Sequence, residues 1–112
     1  MNDQNELDGV IQCITARHKP KNILLFGSRA KGTNKPDSDF DLCVIYDQLP
    51  KRKLEMLQEL YQSLYQIQGL HAVDLLVFQS DAYRERANQI NTIEHAIQDA
   101  TIILRHAEKV II

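Results

Sequence analysis

The sequence has 112 residues and a net charge of −2, with 44% apolar and 25% charged residues. These values are typical of one globular domain, so we expect a single domain over residues 1–112 and neither a disordered nor a fibrous protein. The net charge gives no general attraction to nucleic acid or to an anionic membrane. The longest uninterrupted apolar run, residues 42–46, is far shorter than the ~20 residues that span a bilayer.

The N-terminus and the two cysteines favour a cytoplasmic protein. Residues 1–10 are acidic and polar, which is unlike a signal peptide. Cys13 and Cys43 lie inside apolar patterns and have neither a CxxC nor a metal-ligand spacing. We therefore expect both to be reduced core residues.

The first half of the chain predicts a helix and two strands. The apolar stripe of the helix consists of Leu7, Val10, Ile11 and Ile14. Pro20 ends this helix. Residues 22–26 form a short apolar run that is typical of a strand buried on both faces, and residues 39–46 form a second strand. Between them, Ser28 is expected to cap a short helix that ends at Gly32.

The second half predicts a long helix, a third strand and a further helix. The long helix begins near Pro50 and runs to about Gln68, with Gly69 as its stop. Its apolar side consists of Leu54, Leu57, Leu60, Tyr61 and Leu64. Residues 72–78 form the third strand. Ser80 or Asp81 caps the last helix, whose looser stripe consists of Tyr83, Ala87, Ile90 and Ile97.

Residues 101–104 are a candidate fourth strand. The resulting order of elements predicts an α/β or α+β domain, with a small mixed sheet of three to four strands and helices packed on it.

The turn after the first strand has the composition of a phosphate-binding site. Gly27 permits a sharp turn and a close approach of the backbone to a ligand. The free N–H groups at the start of a helix attract anions, and Arg29 and Lys31 add positive charge within the same turn. Gly27-Ser28 by itself, however, fits an ordinary strand-turn-helix connection with solvated basic residues better than a phosphate site.

Two aspartates at the start of the second strand make the functional interpretation stronger. Asp39 and Asp41 are two residues apart, so their side chains point to the same face of a strand. Asp74 lies inside the third strand. Two carboxylates ~4 Å apart repel each other by roughly 4 kcal/mol at an effective dielectric near 20, and a divalent cation removes this repulsion. Mg²⁺ prefers carboxylate and phosphate oxygens, although protonation of one aspartate would also relieve the repulsion. Asp37 fits a turn residue, and we assign it no chemistry.

The segment "GSRAKGTNKPDSDFD", residues 27–41, resembles the signature of the DNA polymerase β-like nucleotidyltransferases. That signature is Gly-Ser, ten residues, then Asp-x-Asp, with a third aspartate on a later strand, here in "VDLLVF". The chain is most similar in size to the minimal nucleotidyltransferases, which are antitoxins paired with a HEPN ribonuclease toxin.

The resemblance implies that a nucleoside monophosphate, AMP from ATP, is transferred to a hydroxyl group. Asp39 and Asp41 would bridge two Mg²⁺ ions, and Asp74 would hold the metal on the acceptor side. Gly27 and Ser28 would hold the triphosphate, with Arg29 and Lys31 as helpers.

The acceptor implied by the resemblance is a tyrosine of the HEPN partner. The C-terminal residues Val110–Ile112 fit a partner contact and an internal strand equally well. Two alternatives remain: transfer to a small molecule such as an aminoglycoside, and a non-catalytic module that neutralises a toxin by binding it.

Overall fold

The computed structural model describes residues 3–67, 72–89 and 102–106. In these residues the order of elements is α1 (Asp3–His18), β1 (Asn22–Phe26), α2 (Gly27–Lys31), β2 (Phe40–Tyr46), α3 (Lys53–Leu64), β3 (Val73–Gln79), α4 (Ser80–Ala87) and β4 (Ile102–His106). The predicted α+β fold with a small mixed sheet is confirmed. The expectations for Gly69, Ile90, Ile97 and the C-terminal Val110–Ile112 lie outside the described residues.

The four strands form one sheet in the order β3-β2-β1-β4. β1 is antiparallel to both β2 and β4, whereas β2 and β3 are parallel. The candidate fourth strand is present but extends to His106, which pairs with Asn22. Strand pairing uses backbone hydrogen bonds, which polar residues form as well as apolar ones, so an apolar pattern does not mark the end of this strand.

One face of the sheet packs against α1 and α3. The buried residues of this core are Leu7, Val10 and Ile14 from α1, Ile23, Leu25, Phe40, Leu42, Val44, Tyr46, Leu75 and Val77 from the strands, and Met56, Leu60 and Leu64 from α3. The stripe predicted for α1 is therefore confirmed, with Ile11 packed at its margin.

Two features of α3 differ from the prediction. The helix begins at Lys53 and ends at Leu64, four residues before the expected end. Leu54 was expected on the buried side but is 64% exposed, while Met56 is 3% exposed. At 100° per residue, a position two residues from Met56 lies on the opposite side of the helix.

The other face of the sheet carries a smaller apolar cluster. It consists of buried Leu24, Cys43, Ile45 and Phe78, with Phe26, Leu76 and Tyr83 packed against them. α4 reaches this cluster through Tyr83, whose ring centroid is 5.4 Å from that of Phe78. The α4 cap is Gln79, whose side chain accepts a hydrogen bond from the N–H of Ala82, so the expectation of a Ser80 or Asp81 cap is wrong.

Cys13 and Cys43 are both free, and Cys43 is fully buried. α1 has 16 residues, and neither it nor any other described helix has the apolar length needed to cross a membrane.

Candidate active site

The connection between β1 and α2 is a turn that only glycine makes easily. Gly27 has φ +74° and begins α2, and Gly32 with φ +75° ends it. The predicted short helix is confirmed, but Ser28 lies inside it and does not cap it. The residue at the N-cap position is Phe26, which makes no side-chain capping hydrogen bond. The first N–H groups of α2 are thus not capped by a side chain at that position.

The same turn lies against the carboxylate of Asp41. A Cβ atom built on Gly27 would overlap Oδ2 of Asp41. A glycine is therefore required at position 27 for two reasons: its backbone has a positive φ, and the carboxylate of Asp41 fills the space that a Cβ atom would occupy.

The sheet register aligns this aspartate with a second one. Asp41 pairs with Phe26 on one side and with Asp74 on the other. Neighbouring strands lie ~4.8 Å apart, and paired side chains project to the same face. Asp74 also shares this face with Leu76, as the alternation of β3 predicts.

Asp39 lies directly before β2, which begins at Phe40, and not inside the strand as predicted. The parallel ladder starts where the N–H of Phe40 donates to the carbonyl of Ala72 (2.9 Å), so Asp39 is left in the preceding loop. Asp39 and Asp74 are exposed, whereas Asp41 is half-buried.

The charges of two of the carboxylates act on the third. Burial raises the pKa of Asp41, and the negative charges of Asp74 and then Asp39 raise it further. Among the described residues, no ion pair involves any of the three. The site is therefore a group of like charges on one face of the sheet.

The donor set fits Mg²⁺, because carboxylate oxygens are the protein ligands that this ion prefers. In the side-chain conformations of the described residues, no three His, Cys, Asp or Glu side chains are grouped closely enough to enclose an ion. Asp39 and Asp74 are exposed, so rotation about their side-chain bonds is open to them.

The two basic residues of α2 lie in different surroundings. Lys31 is exposed at the end of the helix. Arg29 instead donates through Nε (3.0 Å) and Nη2 (2.7 Å) to the carbonyl of Ser38, and its guanidinium lies 4.1 Å from the ring centroid of Phe40. Sequence reasoning placed Arg29 beside the triphosphate and missed this contact, which no local pattern signals.

Another contact beside Asp74 was also missed. The hydroxyl of Tyr61 on α3 accepts a hydrogen bond from the N–H of Leu75 (3.0 Å). The sequence predicted Tyr61 on the apolar side of its helix, but that periodicity does not indicate which group the hydroxyl contacts.

A family model described as polymerase beta nucleotidyltransferase matches residues 9–108. The chain belongs to this family. Its nucleotidyltransferase fold is also found in solved structures. A proposed nucleotidyltransferase from Sulfolobus solfataricus is 15% identical with a TM-score of 0.65, covering 96% of this chain and 84% of that one.

Two further structures of similar fold are toxin-antitoxin structures. One, with AMP-PNP, is 21% identical (TM-score 0.54), covering 95% of this chain and 75% of that one. The other, a mutant of the pair MntA-HpeT, is 19% identical (TM-score 0.52), covering 91% and 73%. No curated protein matches the sequence significantly.

Proposed function

We propose that this nucleotidyltransferase is an antitoxin that transfers AMP from ATP to a tyrosine hydroxyl of a partner HEPN ribonuclease toxin. The observation that carries the proposal is a row of neighbouring positions, in which Gly27 lies against Asp41, Asp41 pairs with Asp74, and Asp39 lies two residues before Asp41. Two of the structural neighbours are toxin-antitoxin structures, and one of these contains an ATP analogue. These neighbours favour a protein acceptor over other hydroxyl compounds.

In this proposal Asp39, Asp41 and Asp74 hold two Mg²⁺ ions, which when bound neutralise the triphosphate and stabilise the charge that develops during transfer. The N–H groups at Gly27 and Ser28 bind the triphosphate oxygens.

Asp74 lies on the outer strand and accepts the proton of the attacking hydroxyl. The new bond joins the tyrosine oxygen to the α-phosphorus, and the bond from that phosphorus to pyrophosphate breaks. Positioning and charge neutralisation supply most of the rate, so no side chain of this chain needs to become covalently modified.

The test is label transfer from ATP to the protein encoded beside this chain, measured with and without Mg²⁺. We expect labelled partner with the parent chain and none with the double variant Asp39→Asn, Asp41→Asn. A matched control, Asp37→Asn with Asp47→Asn, removes the same charge from two exposed positions and should retain transfer. Asp37 lies in the loop before β2, and Asp47 follows the far end of β2, where it pairs with Lys21 (3.3 Å). Transfer that survives the first double variant would refute the mechanism.

Two other outcomes point to other functions. Turnover of an aminoglycoside without any labelled protein would identify a small acceptor. Protection of cells from the toxin by the inactive double variant, at the level of the parent, would identify a binding module.

A further inference from the structure

Arg29 joins the two halves of the candidate site. It belongs to α2, which follows the glycine turn, and its guanidinium contacts both residues that flank Asp39. Two of its nitrogens donate to the carbonyl of Ser38, and its Cζ lies over the ring of Phe40, 4.1 Å from the centroid. Ser38, Asp39 and Phe40 are consecutive, so Arg29 contacts the backbone on one side of a proposed metal ligand and the side chain on its other side.

Ser38 is also fixed from the side of the loop. Its N–H donates to the carbonyl of Lys35 (3.0 Å), and its Oγ accepts from the N–H of Lys35 (2.8 Å). On the other side, Phe40 is 2% exposed and begins the parallel ladder. The backbone of Asp39 is thus held between two anchored residues, while its side chain stays exposed.

We infer that Arg29 is a positioning residue that fixes Asp39 for metal binding and does not serve as a ligand of the triphosphate. The inference rests on the proposed function for the role of Asp39. An arginine suits this task because its planar fork can place two donors on one carbonyl while its face stacks on an aromatic ring. A lysine keeps the positive charge but has neither the fork nor the flat face.

The substitution Arg29→Lys separates the two roles. If Arg29 only supplied charge to a phosphate, the lysine variant would keep most of its function. If it positions Asp39, the variant should lose function despite its unchanged charge. Arg52→Lys is the matched control, because Arg52 is an exposed arginine at the N-cap position of α3, where it pairs with Glu55 of the same helix.

The first measurement is hydrogen exchange in metal-free protein, which requires no activity. In Arg29→Lys we expect the amides of Lys35 and Ser38 to exchange about tenfold faster than in the parent, and those of Leu42 and Val44 to remain unchanged. The latter pair reports whether the core is intact. Exchange at Lys35 and Ser38 equal to that of Arg52→Lys would overturn the inference.

The second measurement is Mn²⁺ binding, followed by the electron paramagnetic resonance signal of the free ion. Loss of a residue that orients a metal ligand typically weakens binding 10–100-fold, so we expect at least a tenfold higher dissociation constant in Arg29→Lys. In an Asp39→Asn background the same substitution should have no further effect, because Arg29 acts through Asp39. Equal losses in both backgrounds would overturn the inference. Absence of Mn²⁺ binding by the parent chain would instead refute the metal site of the proposed function.

Discussion

The carboxylates of Asp39, Asp41 and Asp74 should make the metal-free protein less stable than a variant that lacks the charge of Asp41. Asp41 and Asp74 are register partners on strands ~4.8 Å apart, and Asp39 adds a third negative charge. For charges ~5 Å apart, the repulsion ranges from about 0.8 kcal/mol in bulk water to about 3 kcal/mol at an effective dielectric of 20. Asp74 and Asp39 are exposed, so solvent screening favours the lower end, about 1 kcal/mol.

We therefore expect Asp41→Asn to raise the free energy of unfolding by about 1 kcal/mol at pH 8 in EDTA, which corresponds to about 4 °C in Tm. The pKa of Asp41 is raised in the folded protein, so the penalty develops as pH rises above the ordinary value and is complete once pH exceeds the raised pKa. The advantage of the variant should disappear below the ordinary value of 3.8, where the group is protonated in both states.

The assay is thermal and urea unfolding of the parent and Asp41→Asn, with Asp37→Asn as a control that removes an exposed charge from the neighbouring loop. Millimolar Mg²⁺ should stabilise the parent, because an ion that binds only the folded state stabilises it. The difference in free energy of unfolding between the parent and Asp41→Asn should then disappear. An Asp41→Asn protein that is less stable than the parent in EDTA at pH 8 would refute the electrostatic reasoning.

Two further predictions follow from contacts around the row. Gly27→Ala should lower the free energy of unfolding by more than the ~1–2 kcal/mol of left-handed strain. It should also abolish transfer, because the added methyl group overlaps the carboxylate of Asp41. Gly32→Ala introduces the same strain but has open space around it, so this control variant should keep transfer. Equal activity of the two variants would contradict this. Tyr61→Phe removes the hydrogen-bond acceptor of the Leu75 N–H and should cost about 1 kcal/mol in urea unfolding; an unchanged midpoint would show that water replaces the hydroxyl.

The sequence predicted the elements whose signals are local. The first strand, residues 22–26, has its observed bounds because an apolar run between polar residues marks both ends. The short helix ending at Gly32 was also predicted correctly, since glycine there takes a positive φ. Leu54 and the Gln79 cap were missed, because burial of a helix side and choice of a cap depend on neighbours from elsewhere in the chain.

In the candidate site, too, the local features were predictable from the sequence and the tertiary contacts were not. The residue types and spacing of Asp39 and Asp41 are visible in the sequence, whereas the alignment of Asp41 with Asp74 depends on a parallel register between strands about thirty residues apart. The contact from Arg29 to Ser38 is likewise tertiary, and nothing in the spacing separates a phosphate ligand from a backbone anchor.

β3 pairs on one side only, with β2, in the described sheet, and yet it carries Asp74. Asp74 is the second residue of β3, and the end of a strand opens with a smaller free energy than its core residues, here Leu75 and Val77. Such an opening leaves the rest of a domain folded. Warming should therefore separate Asp74 from Asp41 before the protein as a whole unfolds. The temperature of heat inactivation and the melting temperature are then two different properties of this enzyme, and raising one need not raise the other.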